Sequence, residues 1–397
     1  MRYLFQIVFI FLVLNLNCCA GENYGKDKRI RTGAEQTEKY LHLLKNKNIA
    51  LVANHTSLIN KTHLLDSLLS LGINVKQVFC PEHGFRGNAY NGELIDDFTD
   101  PKTGLPMLSL YGSSKKPSSK DLKDIDLVIF DIQDVGVRFY TYISTMHYVM
   151  EACAENNVEL LILDRPNPNG FYIDGPILES KHKSFVGMHE VPIVHGMTVA
   201  EYAQMINNEG WLENGVKCDL SYIACENYNH DSLYQLPVAP SPNLPNMQAI
   251  YLYPSLALFE GTKLNVGRGT DFPFQVFGGP DYYEKEFTYT PRSIEGVSKF
   301  PPHEGEKCFG VDLRSFPINS LIKSKQLNIN WLIASYSNTS KNDDFFNLYF
   351  YNITGTKQLK EQLIQNKTAE EIRKSWQPGL EDFKKTRQKY LIYEDFK

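Results

Sequence analysis

Four short, mostly apolar runs punctuate the first half of the chain: NIALVA at 48–53, VKQVFC at 75–80, LVIFDI at 127–132 and LLIL at 160–163. Side chains of a strand alternate between its two faces, so a run apolar at consecutive positions suits a strand covered on both sides. Residues 107–111 read as a further strand. Between these runs, residues 38–44, 63–71 and 144–155 carry apolar positions at helical spacing. Such alternation predicts an α/β fold, a parallel sheet with helices on both faces. A helix over 199–207 follows, with Thr198 as N-cap and Glu201 three residues on completing a capping box.

The pattern changes beyond FGGP at 277–280. Residues 289–302 are boundary-like, and 310–314, 331–334 and 348–351 read as short strands. Helices are expected over 357–365, 369–375 and 380–390. We therefore expect a catalytic domain over 21–289 and a smaller α+β auxiliary domain over 290–397.

The N-terminus has a different pattern again. Arg2 precedes a greasy run over 3–16 and then Asn17, Cys18, Cys19 and Ala20, the layout of a secretory signal over 1–20 or, with Cys18 or Cys19 lipidated, of a lipoprotein signal. Export is expected either way, to the periplasm or the cell exterior, with membrane attachment only through that lipid. The five remaining cysteines are too scattered for a disulfide framework, although Cys218 and Cys225 are near enough to close a small loop. A net charge of −5 argues against a nucleic-acid coat. No G-x-G-x-x-G fingerprint or phosphate loop points to a dinucleotide, no Cys or His spacing points to a metal, and no cofactor is expected.

Chemistry collects where the strands end. Ligands of parallel α/β sheets sit beyond the carboxyl ends of the strands, where loops converge. NIALVA runs into Asn54 and His55, VKQVFC into Glu82, His83 and Arg86, LVIFDI (which holds Asp131) into Asp134, Arg138 and Tyr140, and LLIL into Asp164, Arg165 and Asn167. Ordinary turns carry less Arg and fewer aromatics. Asp131 or Asp134 could equally pair with Arg138 as a structural ion pair, and Asp164 with Arg165 could cap a helix. Later segments add Asn243 between two prolines, Glu260, Arg268 between two glycines, and Asp271. Without a G-x-S-x-G elbow, acyl transfer has little support. Carboxylates with histidine, arginine and aromatics in an exported protein fit glycoside cleavage, where one acid protonates the leaving oxygen and a second group meets the cationic anomeric centre. Glu82 is the natural acid, because Gly84 and Gly87 permit a tight backbone beside it, and a 2-acetamido group on the sugar can serve as the second group.

The segments PEHGFRG at 81–87, FDIQDVGVRFYTY at 130–142, DRPNPNG at 164–170, HGMT at 195–198, SPNLP at 241–245 and FEGTKLNVGRGTDFPFQVFGGP at 259–280, with a C-terminal W…F…R…YLIY pattern, make the chain resemble a known family. These are the proteins long called domain of unknown function 1343, exo-β-N-acetylmuramidases of the NamZ type. The resemblance covers nearly all of the mature chain. It implies a Rossmann-like catalytic domain with a C-terminal auxiliary domain. It also implies release of terminal β-1,4-linked N-acetylmuramic acid (MurNAc) from the non-reducing ends of peptidoglycan fragments, with Glu82 as the catalytic glutamate. Asp131, Asp134 and Glu260 are candidates for the second group. Asn54, His55, His83, Tyr140, Asn167, His195, Asn243 and Asp271 join them as candidate sugar contacts. The lactyl carboxylate of MurNAc calls for a cation, for which Arg86, Arg138, Arg165 and Arg268 are available, Arg268 and Arg86 foremost. The rival reading is a non-catalytic muropeptide-binding lipoprotein; another peptidoglycan hydrolase, an esterase or amidase, is the third.

Overall fold

The computed structural model describes residues 29–86, 93, 96–112, 114–339 and 344–397. The N-terminal signal with Cys18 and Cys19, and Gly87, lie outside them. In chain order the strands are β1 Ile49–Ala53, β2 Leu58–Ile59, β3 Thr62–His63, β4 Val75–Cys80, β5 Phe98–Thr99, β6 Pro106–Ser109, β7 Leu127–Asp131, β8 Glu159–Leu163, β9 Leu220–Ile223, β10 Val276–Gly279, β11 Phe287–Tyr289 and β12 Cys308–Asp312. The α-helices are α1 Thr37–Leu44, α2 Leu64–Ser70, α3 Tyr142–Asn156, α4 Val199–Asn208, α5 Met247–Leu256, α6 Ile318–Ser324, α7 Asn330–Asn338, α8 Tyr349–Thr354, α9 Gln358–Ile364 and α10 Ala369–Gln388.

Seven strands form the main sheet in the order β5-β6-β4-β1-β7-β8-β9, all parallel except the edge pair β5/β6. Every residue of β1 and β7 is buried, as continuous apolar runs require when both faces are covered. From β1 the chain steps outward through β4 and β6, then returns to the other side of β1 as β7. Strand order therefore reverses between β1 and β7, and a crevice opens at their carboxyl ends. Their pairing from Ile49/Leu127 to Ala53/Asp131 fixes the relative height of the loops that follow. The α4 capping box is present, with the Thr198 side chain accepting from Glu201 N–H and the Glu201 carboxylate from Thr198 N–H.

The second, smaller unit holds an antiparallel sheet, β10-β12-β11, together with helices α6–α10. β10 and β11 precede residue 290 and β12 follows it, so the division expected at 289/290 runs through this sheet. The strands expected at 331–334 and 348–351 are helical, in α7 and α8. Short apolar runs do not disclose their period, and here the buried positions are Leu332 with Ser335 and Phe350 with Ile353, three apart as on a helix face. Residues 369–375 and 380–390 belong to one helix, α10, which carries Pro378 in its interior. Cys218 and Cys225 are both free and buried, so they do not close the loop.

The C-terminal tail returns to the main sheet. Tyr393 donates its hydroxyl to Asp164 Oδ2 at 2.6 Å and accepts from Cys225 N–H, while Ile392 N–H donates to Glu201. Buried Arg387 holds the Gly196 carbonyl through two nitrogens. This ties HGMT and DRPNPNG to the tail, so all three are parts of one structural clamp.

Candidate active site

Beyond the carboxyl ends of β4 and β7 lies a cavity of about 220 Å³, closed over by residues 241–274 and by α8. Glu82 enters it from the turn after β4. Gly84 N–H closes that turn onto the Pro81 carbonyl, with His83 at φ 69° and Gly84 at φ 70°. A positive φ at the third turn position is rare outside glycine, and at His83 it brings the backbone round sharply behind Glu82. Only 7% of Glu82 is exposed. Its Oε2 accepts from Thr141 Oγ1 at 2.7 Å, and the Tyr111 hydroxyl also bonds the carboxylate. Burial first, then the charge and hydrogen bond of Glu82, raise the Tyr111 pKa, so Tyr111 stays a donor. His83 Nε2 and Ser241 Oγ are 3.2 Å apart.

The opposite wall carries an ion pair. Arg268 Nε–H donates to Glu260 Oε1 at 2.7 Å, and the guanidinium lies 5.0 Å from the centre of the Phe274 ring. Glu260 comes from a 3₁₀ turn packed on α8, where a Cβ on Gly261 would sit 2.3 Å from Phe350 Cα. Against a desolvation penalty, the Glu260 charge keeps the Arg268 pKa above its ordinary value, so the cation persists at any working pH. Among the described residues Nη1 of Arg268 has no hydrogen-bond partner. Asn243 sits in the same wall, its Nδ2 given to the Val297 carbonyl and its Oδ1 unpartnered among the described residues. Phe139, Tyr140, Tyr253 and Tyr349 complete an aromatic lining.

Of the residues singled out in the sequence, the fold brings Glu82, His83, Tyr140, Asn243, Glu260 and Arg268 to this cavity. The others lie outside its lining. Asp131 is fully buried in an ion pair with Arg165, at 2.6 Å and 2.9 Å. Arg138 pairs with neither Asp131 nor Asp134: its guanidinium is spent on the carbonyls of Pro176, Val191, Ile353 and Thr354. Asp134 is buried, accepting from Gly136 N–H through Oδ2, and desolvation pushes its pKa up to about 7. Asn54 supports the lining indirectly, donating to the Tyr142 hydroxyl. Asn167 spans to the Met197 carbonyl, under a Gly136 whose Cβ would meet it at 2.2 Å. His195 is buried beside Tyr202, and burial lowers its pKa to about 3. His55 is held by the Ala239 carbonyl beside a separate groove. Arg86 pairs with Asp100, and Asp271 with Arg292 at the surface. Asp164 caps α4 by accepting from Ala200 N–H. Tyr111, Thr141 and Tyr349 were not anticipated, although Tyr111 follows the end of β6 just as Glu82 follows β4.

Comparison with known proteins gives consistent matches. The family model described as exo-β-N-acetylmuramidase NamZ, N-terminal, matches residues 49–248, and its C-terminal counterpart matches 251–393. The chain is 36% identical over 391 residues to the peptidoglycan β-N-acetylmuramidase NamZ of Bacillus subtilis (strain 168), covering 93% of this chain and 92% of that one. Two solved DUF1343 family proteins of Bacteroides fragilis superpose with TM-scores of 0.86 and 0.76, at 48% and 29% identity, each over 92% of this chain and 99% of theirs.

Proposed function

Since the chain belongs to the exo-β-N-acetylmuramidase NamZ family, we propose that it is an exported exo-glycosidase that releases MurNAc from the non-reducing ends of peptidoglycan saccharides. The observation that carries this reading is the pairing, in one cavity, of a hydroxyl-anchored carboxyl, Glu82, with a buried arginine, Arg268, that has donors to spare. A terminal MurNAc offers complementary groups, a glycosidic oxygen that needs a proton and a lactyl carboxylate that needs a cation. Planar guanidinium donors match a carboxylate bidentately, and Glu260 fixes the orientation of the fork.

In this account protonated Glu82 gives its proton to the bridging oxygen as the bond from C1 to that oxygen breaks. Asp131 and Asp134 lie outside the cavity lining and Glu260 is bonded to Arg268. That leaves the substrate's own acetamido oxygen to bond to C1. Water then adds at C1, losing a proton to the Glu82 carboxylate, while the acetamido group is restored. Asn243 Oδ1, an acceptor lacking a protein partner among the described residues, suits the acetamido N–H. Export rests on the greasy run over 3–16 behind Arg2.

The test is product identity. Peptide-free glycan incubated with the protein should yield free MurNAc one residue at a time, seen by mass spectrometry. Ligand retention without release would favour the binding-protein reading, and lactate or peptide release the esterase or amidase.

A further inference from the structure

Two further depressions continue from the active cavity along one stretch of chain. Asn243 and Ser241 line the cavity; Ser241, Ala239 and Val238 line a groove of about 380 Å³; Pro237, Gln235 and Tyr234 line a third depression of about 350 Å³. The loop after β1 runs along the same path, with His55 on the groove and Leu58 and Asn60 on the third depression. The track starts beside the acid, because Ser241 bonds His83, the neighbour of Glu82. A saccharide whose terminal sugar fills the cavity must leave on the side of the acid, since that is where its glycosidic oxygen sits.

The three stations differ in chemistry. The middle groove is largely apolar, with Val238, Ala239, Pro242 and Val297, a surface suited to the C–H face of a sugar. The third again presents arginine. Arg165 is 3% exposed; Asp131 takes its Nε and Nη2, and Leu58 O shares Nη2, while Nη1 has no partner among the described residues. Arg29 stands beside it, two-thirds exposed, bonded to Glu35 and Asn60. Glycans of the proposed substrate class alternate a carboxylate-bearing sugar with a neutral one. Cation, apolar surface, cation is the matching sequence.

We propose that this track binds the leaving glycan, a neutral N-acetylglucosamine (GlcNAc) in the groove and the next MurNAc in the third depression, its carboxylate met by Arg165 and Arg29. The assignment rests on the hydrolytic reading above. It makes the enzyme a reader of glycan chains, with chain ends preferred over isolated disaccharides.

Three substrates decide it: MurNAc-GlcNAc, the tetrasaccharide MurNAc-GlcNAc-MurNAc-GlcNAc, and MurNAc-GlcNAc-GlcNAc-GlcNAc. The alternating tetrasaccharide should exceed the disaccharide in kcat/KM by roughly tenfold, and the variant chain lacking the inner carboxylate should not. Arg29→Ala should abolish most of that advantage, and Gln235→Trp, which adds bulk at the third depression, should do the same without touching the Arg29 ion pair. Equal kcat/KM on all three substrates would overturn the proposal, as would equal losses on disaccharide and tetrasaccharide in both variants. Failure of the unaltered enzyme on the disaccharide itself would sink the hydrolytic reading and this track with it.

Discussion

Arg268→Met tests how the sugar is told from its relatives. Methionine keeps much of the side-chain length and the contact with Phe274 while removing every donor. In the folded protein the guanidinium is 14% exposed, tied to Glu260 at 2.7 Å. A charge-assisted hydrogen bond in such a site is worth about 2–3 kcal/mol, a factor of roughly 30–150 in kcat/KM. That loss should fall on aryl β-N-acetylmuraminides and spare aryl β-N-acetylglucosaminides, which have no lactyl carboxylate. The single variant also strands Glu260, so Arg268→Met/Glu260→Gln should be measured beside it to remove the uncompensated charge. The assay is the ratio of kcat/KM for the two aryl glycosides. An unchanged ratio in both variants would refute Arg268 as the carboxylate reader, whatever happened to the absolute rates.

Other outcomes follow from buried groups. Burial raises the Asp134 carboxyl from 3.8 to about 7, so the folded state holds its proton where the unfolded chain gives it up. Its contribution is complete below the unfolded value and is lost as pH rises through 7, on the order of 4 kcal/mol across that window. Asp134→Asn should accordingly raise the melting temperature more at pH 8 than at pH 5; an equal change at both would contradict this. Arg138→Ala leaves four carbonyls without their donor, and should lower stability by about 3–5 kcal/mol in denaturant titration; a loss under 1 kcal/mol would contradict the clamp. Tyr111→Phe removes one of the hydroxyls on Glu82 while leaving Thr141 in place. It should displace the limb of the pH–rate profile that reports Glu82, and a profile merely scaled in height would mean Tyr111 only fills space.

The central strands were readable because a strand covered on both faces admits little but apolar residues, and NIALVA, LVIFDI and LLIL obey that throughout. β9 escaped notice since Ser221 and Tyr222 are exposed on this edge strand. The polar clusters after the strands marked the right end of the sheet, yet residue type does not say which way a side chain faces. Arg138 and Arg268 looked alike in sequence. One is consumed by carbonyls, two of them at residues 353 and 354, more than two hundred positions away, and no local pattern encodes that. The other is left with spare donors because Glu260, eight residues earlier, takes only its Nε. Asp131 and Arg165 found each other across neighbouring strands β7 and β8, a pairing visible only once strand order is known. Tyr349 was hidden by reading α8 as a strand.

The most direct measurement is the dependence of Glu82→Gln on the leaving group. Glutamine keeps the shape and can still accept from Thr141, but has no acidic proton to give. If Glu82 is the proton donor, Glu82→Gln should lose about 10²–10⁴-fold on MurNAc-GlcNAc, whose leaving sugar oxygen needs protonation. A dinitrophenyl β-N-acetylmuraminide, whose phenolate departs unaided, should lose far less in the bond-breaking step. Near-normal cleavage of MurNAc-GlcNAc by Glu82→Gln, or equal losses on both substrates, would contradict the account.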